Sequence, residues 1–250
     1  MSLQTSLSVT EQLHEHFNSP AFRELVPALA ERFKEDDYVE LESFLPPALA
    51  HRAEQELADL YDTRSRRRDI LVPSTGNTPR NFSNLDRDVL LAGSSVIPAV
   101  FDCPALLKRL SEIAGQEVLP VPYVPEEYIS ARMDRPGDVH GWHWDDYSFA
   151  VVWVVKSTPE GCGGDVEYIP DTFWDKENPR LEHYLATREI RRRHPASGTA
   201  YLMRTDTSLH HVTPIAEGVE RIMVCFSYCS LEDLDREVTH DTMDLLHPNA

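Results

Sequence analysis

The chain has 250 residues, with 42 acidic and 24 basic side chains that give a formal net charge of -18 at pH 7. This length predicts one domain with a buried core, because β-barrels with helical additions often reach it undivided. The negative charge argues against binding to nucleic acid or to anionic membrane surfaces. Two interpretations of the charge stay open, namely solubility and the attraction of a cationic substrate.

The cysteines show no paired framework, and the set comprises Cys103, Cys162, Cys225 and Cys229. Two of them, Cys225 and Cys229, would lie four residues apart on one strand, which is too far for a disulfide. The N-terminus lacks a basic segment followed by an apolar run, and no apolar stretch approaches the roughly 20 residues that span a membrane. We therefore expect reduced cysteines and a cytoplasmic protein without a membrane segment, and we leave a homodimer open.

The N-terminal region is predicted to be a helical layer. Residues 8–62 have the pattern of two helices, a short strand at 36–41 and a third helix. Ser8 and Glu11 match a capping box, and Ser19 stands directly before a proline, which is typical of a helix start. The apolar positions at three- and four-residue spacing in these helices predict packing, not a cofactor site.

Three further segments complete this region. The basic run at 64–68 is interpreted as solvated, because its flanking charges are acidic and no aromatic residues interleave. Turn formers dominate residues 71–95, which predicts a lid or binding loop without regular structure, and Arg80 is its candidate functional residue. Residues 104–115 predict a short helix that ends at a glycine.

From about residue 118 the helical period gives way to strands and turns. Eight strands are predicted, at residues 127–133, 140–145, 149–156, 165–169, 188–191, 199–204, 210–212 and 221–228. Residues 171–185 are expected to form a partly helical excursion between strands. The predicted fold is mostly β with helices: a double-stranded β-helix, or jelly roll, at 118–230, an N-terminal layer at 1–117, and a tail at 231–250 that covers the site.

A His-x-Asp motif and a distal histidine form the candidate metal site. On a strand, a period of two would place His143 and Asp145 on one face and Trp144 on the other. With His210 they would give the two imidazoles and one carboxylate of a non-haem Fe(II) oxygenase, which leaves open positions for a co-substrate and O2. His211 is expected to point away from this site. The His-x-Asp spacing by itself is weak, because such a pair is expected by chance about once in this chain.

An arginine at the start of the last predicted strand makes the pattern more specific. Arg221 follows His210 by eleven positions and opens an apolar run. Its guanidinium could bind one end of a dicarboxylate through two parallel hydrogen bonds, which a lysine cannot reproduce. Two alternatives remain: a zinc hydrolase, which would have no need of Arg221, and a non-catalytic barrel that binds a small ligand or metal.

The order of His-x-Asp, distal histidine and arginine resembles the Fe(II)/2-oxoglutarate-dependent oxygenases. More narrowly, residues 140–150, 174–176 and 202–210 resemble the radical halogenases and hydroxylases of free amino acids, whose best-known members act on lysine. The halogenases carry glycine where this chain has Asp145, since chloride takes that coordination position. The resemblance therefore implies a hydroxylase with Fe(II) held by His143, Asp145 and His210, with 2-oxoglutarate on Arg221, and with O2 as co-substrate. A halogenase is the alternative.

The same resemblance implies where an amino acid would bind. Arg80 and His140 match partners of its carboxylate, whereas Glu126 and Asp146 match partners of its ammonium groups. Asp146 could instead orient a ligand histidine, and His140 could be an ordinary strand residue. Cys225 and Ser227 are predicted to face the pocket, at positions where we expect more polar groups in the lysine enzymes. The implied substrate is cationic, namely lysine, ornithine or arginine, and a smaller or differently shaped pocket would favour ornithine, arginine or a neutral amino acid over lysine.

Overall fold

The structure is a computed structural model that describes residues 7–246. Its N-terminal layer begins with the elements α1 (Val9–Asn18), α2 (Pro20–Asp36), β1 (Tyr38–Leu41) and α3 (Pro47–Arg64). Ser8 caps α1, since its hydroxyl accepts the backbone N–H of Glu11 and the Glu11 carboxylate accepts the Ser8 N–H. Ser19 caps α2 by accepting the N–H of Phe22 at 3.2 Å. The predicted helix, helix, strand, helix order is confirmed.

The prediction of an irregular loop at residues 71–95 is wrong. The segment from 66 to 93 forms β2 (Arg66–Val72), a 3-10 turn, β3 (Thr78–Leu85) and α4 (Arg87–Gly93). Gly76 and Asn77 adopt the left-handed backbone conformation, which makes the connection between β2 and β3 tight. The turn itself therefore occupies only a few residues between two paired strands.

The basic run at 64–68 is also more than a solvated segment. Arg67 lies on β2 and donates to the buried carboxylate of Asp138, with its closest N–O distance at 2.6 Å. It also pairs with Asp69, which lies two residues further along the same strand. The ion pair of Arg67 with Asp138 therefore links the hairpin of β2 and β3 to the turn that precedes β6. The rest of the basic run is partly exposed.

The remaining elements follow in chain order. They are α5 (Ile97–Phe101), α6 (Pro104–Ala114), β4 (Leu119–Pro120), β5 (Tyr128–Met133), β6 (Val139–His143), β7 (Phe149–Lys156), β8 (Val166–Ile169), α7 (Leu181–Thr187), β9 (Arg191–Arg193), β10 (Ala200–Arg204), β11 (Leu209–Val212), β12 (Arg221–Cys229), α8 (Leu231–Leu234) and α9 (Asp241–Leu246). Gly115 ends α6 in the left-handed conformation, as predicted. The strand predicted at 188–191 is misplaced, because α7 extends to residue 187 and the strand begins at 191.

The strands form one curled antiparallel sheet with the order β1-β10-β7-β12-β5-β3-β6-β11-β8-β9. Its halves face each other across a central cavity, so that the predicted jelly-roll class is confirmed. Strand β7 shows how the layers are organised, because its alternate side chains pack into two different hydrophobic cores. Phe149, Val151 and Trp153 pack against the N-terminal helices, whereas Val152 and Val154 face the inside of the barrel.

Two smaller predictions concern the cysteines and the membrane. All four cysteines are free, as expected from their spacing. Within residues 7–246, no helix combines the length and the hydrophobicity that crossing a bilayer requires.

Gly163 and Gly164 allow the backbone before β8 to lie close to the backbone after β11. Gly163 has φ +78°, and a Cβ built on it would lie 1.9 Å from the carbonyl oxygen of Pro214. Its neighbour Gly164 donates to the carbonyl of Thr213 at 3.1 Å. Only a residue without a side chain allows this approach of two backbones.

We expect Gly163→Ala to destabilise the fold more than the matched control Gly198→Ala. Gly198 has φ +84° with no atom within 4 Å of its Cβ position, so its substitution should cost only the left-handed strain of about 1–2 kcal/mol. Gly163→Ala adds a backbone clash, which should cost roughly 1–3 kcal/mol more. Urea unfolding of both variants measures the difference, and equal losses would contradict the close approach.

Candidate metal and co-substrate site

Pairing of β6 with β11 brings the two predicted histidine ligands together. His143 and His210 are directly opposite in the register, and their ring centroids are 4.1 Å apart. Residues opposite each other on an antiparallel pair project to the same face. The register therefore places two imidazoles side by side at the inner surface of the barrel.

Asp145 lies beyond the end of the strand, which corrects the expected strand at residues 140–145. Strand β6 ends at His143, and the backbone N–H of Asp145 donates to the carbonyl of Thr205 at 3.1 Å. An Asp145 carboxylate oxygen nevertheless lies 3.6 Å from Nε2 of His143 and 3.9 Å from Nε2 of His210. The three donor atoms lie within 4.8 Å of one another, so they could hold one metal ion.

Hydrogen bonds at the other ring nitrogens prepare both histidines to coordinate. Nδ1 of His143 lies 2.7 Å from the carbonyl of Gly141, and Nδ1 of His210 lies 2.8 Å from that of Ser208. A carbonyl can only accept, so each Nδ1 carries the proton and each Nε2 presents a lone pair. Burial, together with the neighbouring basic groups His210, His140 and Arg80, lowers the pKa of His143 well below its usual value, which keeps it neutral.

Burial also raises the pKa of Asp145. A bound cation would offset this cost, because it favours the ionised carboxylate. The donor set of two neutral imidazoles and one carboxylate therefore fits a divalent transition metal such as Fe(II).

The neighbours of the candidate ligands point away, as expected. The indole of Trp144 is buried on the opposite side, where its N–H donates to Thr172 at 2.7 Å. His211 stacks on Trp142 at 3.8 Å and contacts the Glu167 carboxylate at 2.7 Å. Neither side chain reaches the three donor atoms.

Strand β12 supplies one wall of the cavity through every second residue. Arg221, Met223, Cys225 and Ser227 all line it together with the three candidate ligands. Cys225 and Ser227 therefore face the pocket, as predicted. The alternation is that of an extended strand with one face inward.

Arg221 is 2% exposed, and its Nε and Nη2 atoms have no hydrogen-bond partner among residues 7–246. Buried guanidinium groups are costly unless they are paired, so these two donors fit an anionic ligand in the cavity. Tyr201, which the sequence did not single out, also lines the cavity. Burial raises the pKa of its phenol to about 12, with Arg221 acting in the opposite direction.

Arg80 and His140 lie beside the candidate metal site. They are opposite residues on β3 and β6, and the His140 ring stacks on His143 at 4.1 Å. His140 lines the cavity, whereas Arg80 is fully buried outside its lining. Arg80 donates to Thr78 at 3.1 Å, while its Nε and Nη2 have no hydrogen-bond partner in the part of the chain that the structure describes. Burial lowers the pKa of Arg80 to about 9, and Asp145 acts against this shift.

Glu126 and Asp146 both line the cavity. They form a second cluster with His240, with one donor atom of each within 4.8 Å of the others. Burial raises the pKa of Glu126 to about 7, and His240, at 3.4 Å, acts against this shift. Asp146 forms an ion pair with Lys176 at 2.6 Å. The sequence contained Lys176 only as part of a motif, and nothing in it indicated His240.

The C-terminal helix forms part of the cavity wall. Thr242, Met243 and Leu246 of α9 line the cavity, and Leu246 packs with the inner core of the barrel. The expectation that the tail covers the site agrees with this placement for residues 231–246. Residues 247–250, which include His247, lie outside the described residues.

Solved structures with the same fold include several named for iron and 2-oxoglutarate. The non-heme alpha ketoglutarate dependent epimerase SnoN from nogalamycin biosynthesis matches with a TM-score of 0.65 and 12% identity, over 83% of this chain and 82% of SnoN. A prolyl hydroxylase from Trichoplax adhaerens, in complex with a hypoxia inducible factor peptide, matches at 0.63 and 13%, over 93% and 99%. A 2OG-Fe(II) oxygenase family protein from Burkholderia pseudomallei matches at 0.56 and 16%, over 82% and 90%.

These likenesses, at 12 to 16% identity, establish the fold. A comparison with curated protein sequences gives no match. A sequence model of one family, described as Halogenase D, matches residues 22–248 and so covers nearly the whole chain. On this match, and in agreement with the jelly-roll fold, the chain belongs to the Halogenase D family.

Proposed function

We propose that the protein is an Fe(II)/2-oxoglutarate-dependent oxygenase that hydroxylates a free amino acid. One observation carries the proposal: the cavity that holds the two histidines and the aspartate also contains a buried arginine with unpartnered donors. His143, Asp145 and His210 would hold the iron, and Arg221 would bind the distal carboxylate of 2-oxoglutarate. The fold neighbours named for iron and 2-oxoglutarate support this assignment.

Bound iron would supply the oxidising chemistry, in which O2 converts 2-oxoglutarate to succinate and carbon dioxide and oxidises a C–H bond. The contribution of the chain is position and exclusion of water. The Nδ1 hydrogen bonds of His143 and His210 fix the ring orientations, and α9 covers the cavity. An amino acid held between charged groups would present one C–H bond to the metal.

The substrate assignment rests on groups of opposite charge in and beside the cavity. His140, which lines the cavity, would contact the substrate carboxylate, and its buried neighbour Arg80 on β3 would add positive charge there. Glu126 and Asp146 would bind an ammonium group, and Ser227 adds a hydroxyl to the cavity lining. Fixed charges on a ligand must be paired in a partly dry cavity, so complementary groups favour a zwitterion.

A radical halogenase is the second candidate, and the family description is the observation that favours it. The side chain of Asp145 argues against it. Its carboxylate lies beside both histidines and would occupy the coordination position that halide needs. Hydroxylation therefore remains the better-supported reaction.

The experiment is a succinate assay with Fe(II), ascorbate and 2-oxoglutarate across a panel of free amino acids. We expect an amino acid to stimulate succinate formation and to gain one oxygen atom by mass spectrometry. With chloride present, a chlorinated product would instead support the halogenase.

Two results would contradict the proposal. Activity that depends on zinc without 2-oxoglutarate would indicate a hydrolase. Binding of iron and 2-oxoglutarate without turnover of any amino acid would leave the metal site standing and would overturn the substrate assignment.

A further inference from the structure

One of the two carboxylates in the ammonium region is already paired within the chain. The ammonium of Lys176 lies 2.6 Å from Oδ1 of Asp146, which is 5% exposed. Lys176 also donates to the backbone carbonyl of Thr239 and to its hydroxyl, and it lies 3.2 Å from Asp241. The indole of Trp174 covers the ammonium at 4.4 Å. With four oxygen partners and an aromatic face, Lys176 is held firmly against Asp146.

Within the described part of the chain, the other carboxylate has no such cationic partner of fixed charge. Glu126 is 9% exposed, its Oε2 atom accepts no hydrogen bond from residues 7–246, and its close neighbour is the imidazole of His240 at 3.4 Å. His240 is held in place by stacking on Tyr123 at 3.6 Å. A histidine can be neutral, so Glu126 can still accept an ammonium group from a ligand.

Charge complementarity then limits the ligand. Arg221 lines the cavity with two donors that lack a partner among residues 7–246, which suffices for the distal carboxylate of 2-oxoglutarate. Arg80, buried beside the cavity-lining His140, adds one positive charge for a substrate carboxylate. Glu126 remains as the carboxylate for one ammonium group. A second ammonium would have to displace Lys176 from Asp146 or stay unpaired, and both are costly in a buried site.

The rest of the cavity wall favours an apolar side chain. Between the charged groups it is lined by Ile129, Val152, Met203, Met223 and Met243, beside the hydroxyl groups of Tyr201, Thr205, Ser227 and Thr242. Apolar side chains of a ligand gain free energy in proportion to the area they bury against such a wall. A second charged group would lose its hydration without a partner of opposite charge.

Building on the proposed function, we infer that the substrate is an amino acid with a single ammonium group and an apolar side chain. Lys176 determines this specificity by neutralising Asp146. The inference differs from the cationic substrate that the sequence resemblance implied, and it selects the neutral amino acid that was the alternative there.

The test compares norleucine with ornithine, whose side chains have the same number of heavy atoms but differ by a terminal ammonium. Binding is measured by calorimetry on protein loaded with Mn(II) and 2-oxoglutarate, so that turnover does not enter. We expect norleucine to bind the natural protein about 100-fold more tightly than ornithine, the factor that one unpaired buried charge implies. In Lys176→Met the preference should fall by at least about 10-fold, because Asp146 becomes free for the ligand.

Asp241→Asn is the matched control. It weakens an outer contact of Lys176 and leaves the ion pair with Asp146, so the norleucine preference should persist. Thermal unfolding checks that each variant is folded. If Lys176→Met is not folded, Lys176→Gln replaces it in the comparison.

Three outcomes would count against the inference. Ornithine binding as tightly as norleucine in the natural protein would show that Lys176 gives way to a substrate cation. An unchanged preference in the folded Lys176 variants would show that the ion pair is only structural. If neither amino acid binds to any form that holds Mn(II) and 2-oxoglutarate, the proposed amino acid substrate itself fails, and the inference fails with it.

Discussion

Replacing His210 with alanine is expected to abolish 2-oxoglutarate turnover. The substitution removes one of three donor atoms that lie within 4.8 Å of one another. Loss of a hydrogen-bond partner of a ligand already costs roughly 10- to 100-fold in metal affinity or activity, so loss of a ligand should cost more. The measurements are Fe(II) binding and succinate formation, each at saturating 2-oxoglutarate.

His211→Ala provides a control one residue away. His211 lies on the other side of β11, stacked on Trp142 and bonded to Glu167. Its loss should lower the free energy of unfolding by about 1–3 kcal/mol, the cost of leaving a partner unpaired, while the folded variant retains iron and turnover. If His211→Ala lost iron and His210→Ala kept it, the assignment of the metal ligands would be wrong.

The second large effect is expected at Arg221. In Arg221→Lys the positive charge stays, but the planar fork that can make two parallel hydrogen bonds to a carboxylate is lost. Hydrogen bonds to charged groups contribute about 1.5–3 kcal/mol, so the KM for 2-oxoglutarate should rise roughly 10- to 100-fold. The rate at saturating 2-oxoglutarate should change much less, because the arginine would act on binding and not on the reacting atoms.

Arg204→Lys is a suitable comparison, since Arg204 pairs with Asp37 outside the cavity. Its KM for 2-oxoglutarate should stay at the natural value. A collapse of the saturated rate in Arg221→Lys with an unchanged KM would mean that Arg221 does not bind the co-substrate.

Features with a strong local period were predictable from the sequence. Capping residues fixed the starts of α1 and α2, and runs of apolar residues identified β7 and β12 with nearly correct ends. The period of two along β12 placed Cys225 and Ser227 in the cavity. Pairing of His143 with His210 followed once both were assigned to strands of one barrel.

Features that depend on contacts distant in sequence were not predictable. The hairpin of β2 and β3 is rich in polar and turn-forming residues, and its strands are specified by their partners more than by their own propensity. The Lys176 ion pair joins three separate segments, at Asp146, Lys176 and 239–241, and no local pattern reports such a junction. Asp145 lies beyond the strand end, because Thr205 holds its backbone.

The position of β12 has a consequence for how the protein folds during synthesis. Strand β12, the last one within residues 7–246, pairs with both β7 and β5, so it lies in the middle of the sheet. Until the ribosome has released it, those two strands expose unpaired edges and apolar side chains, a state that promotes aggregation. Arg221 also arrives on this strand. The nascent chain therefore completes its barrel and acquires Arg221, the predicted co-substrate ligand, in the same late step. Its dependence on chaperones should be greatest just before β12 pairs.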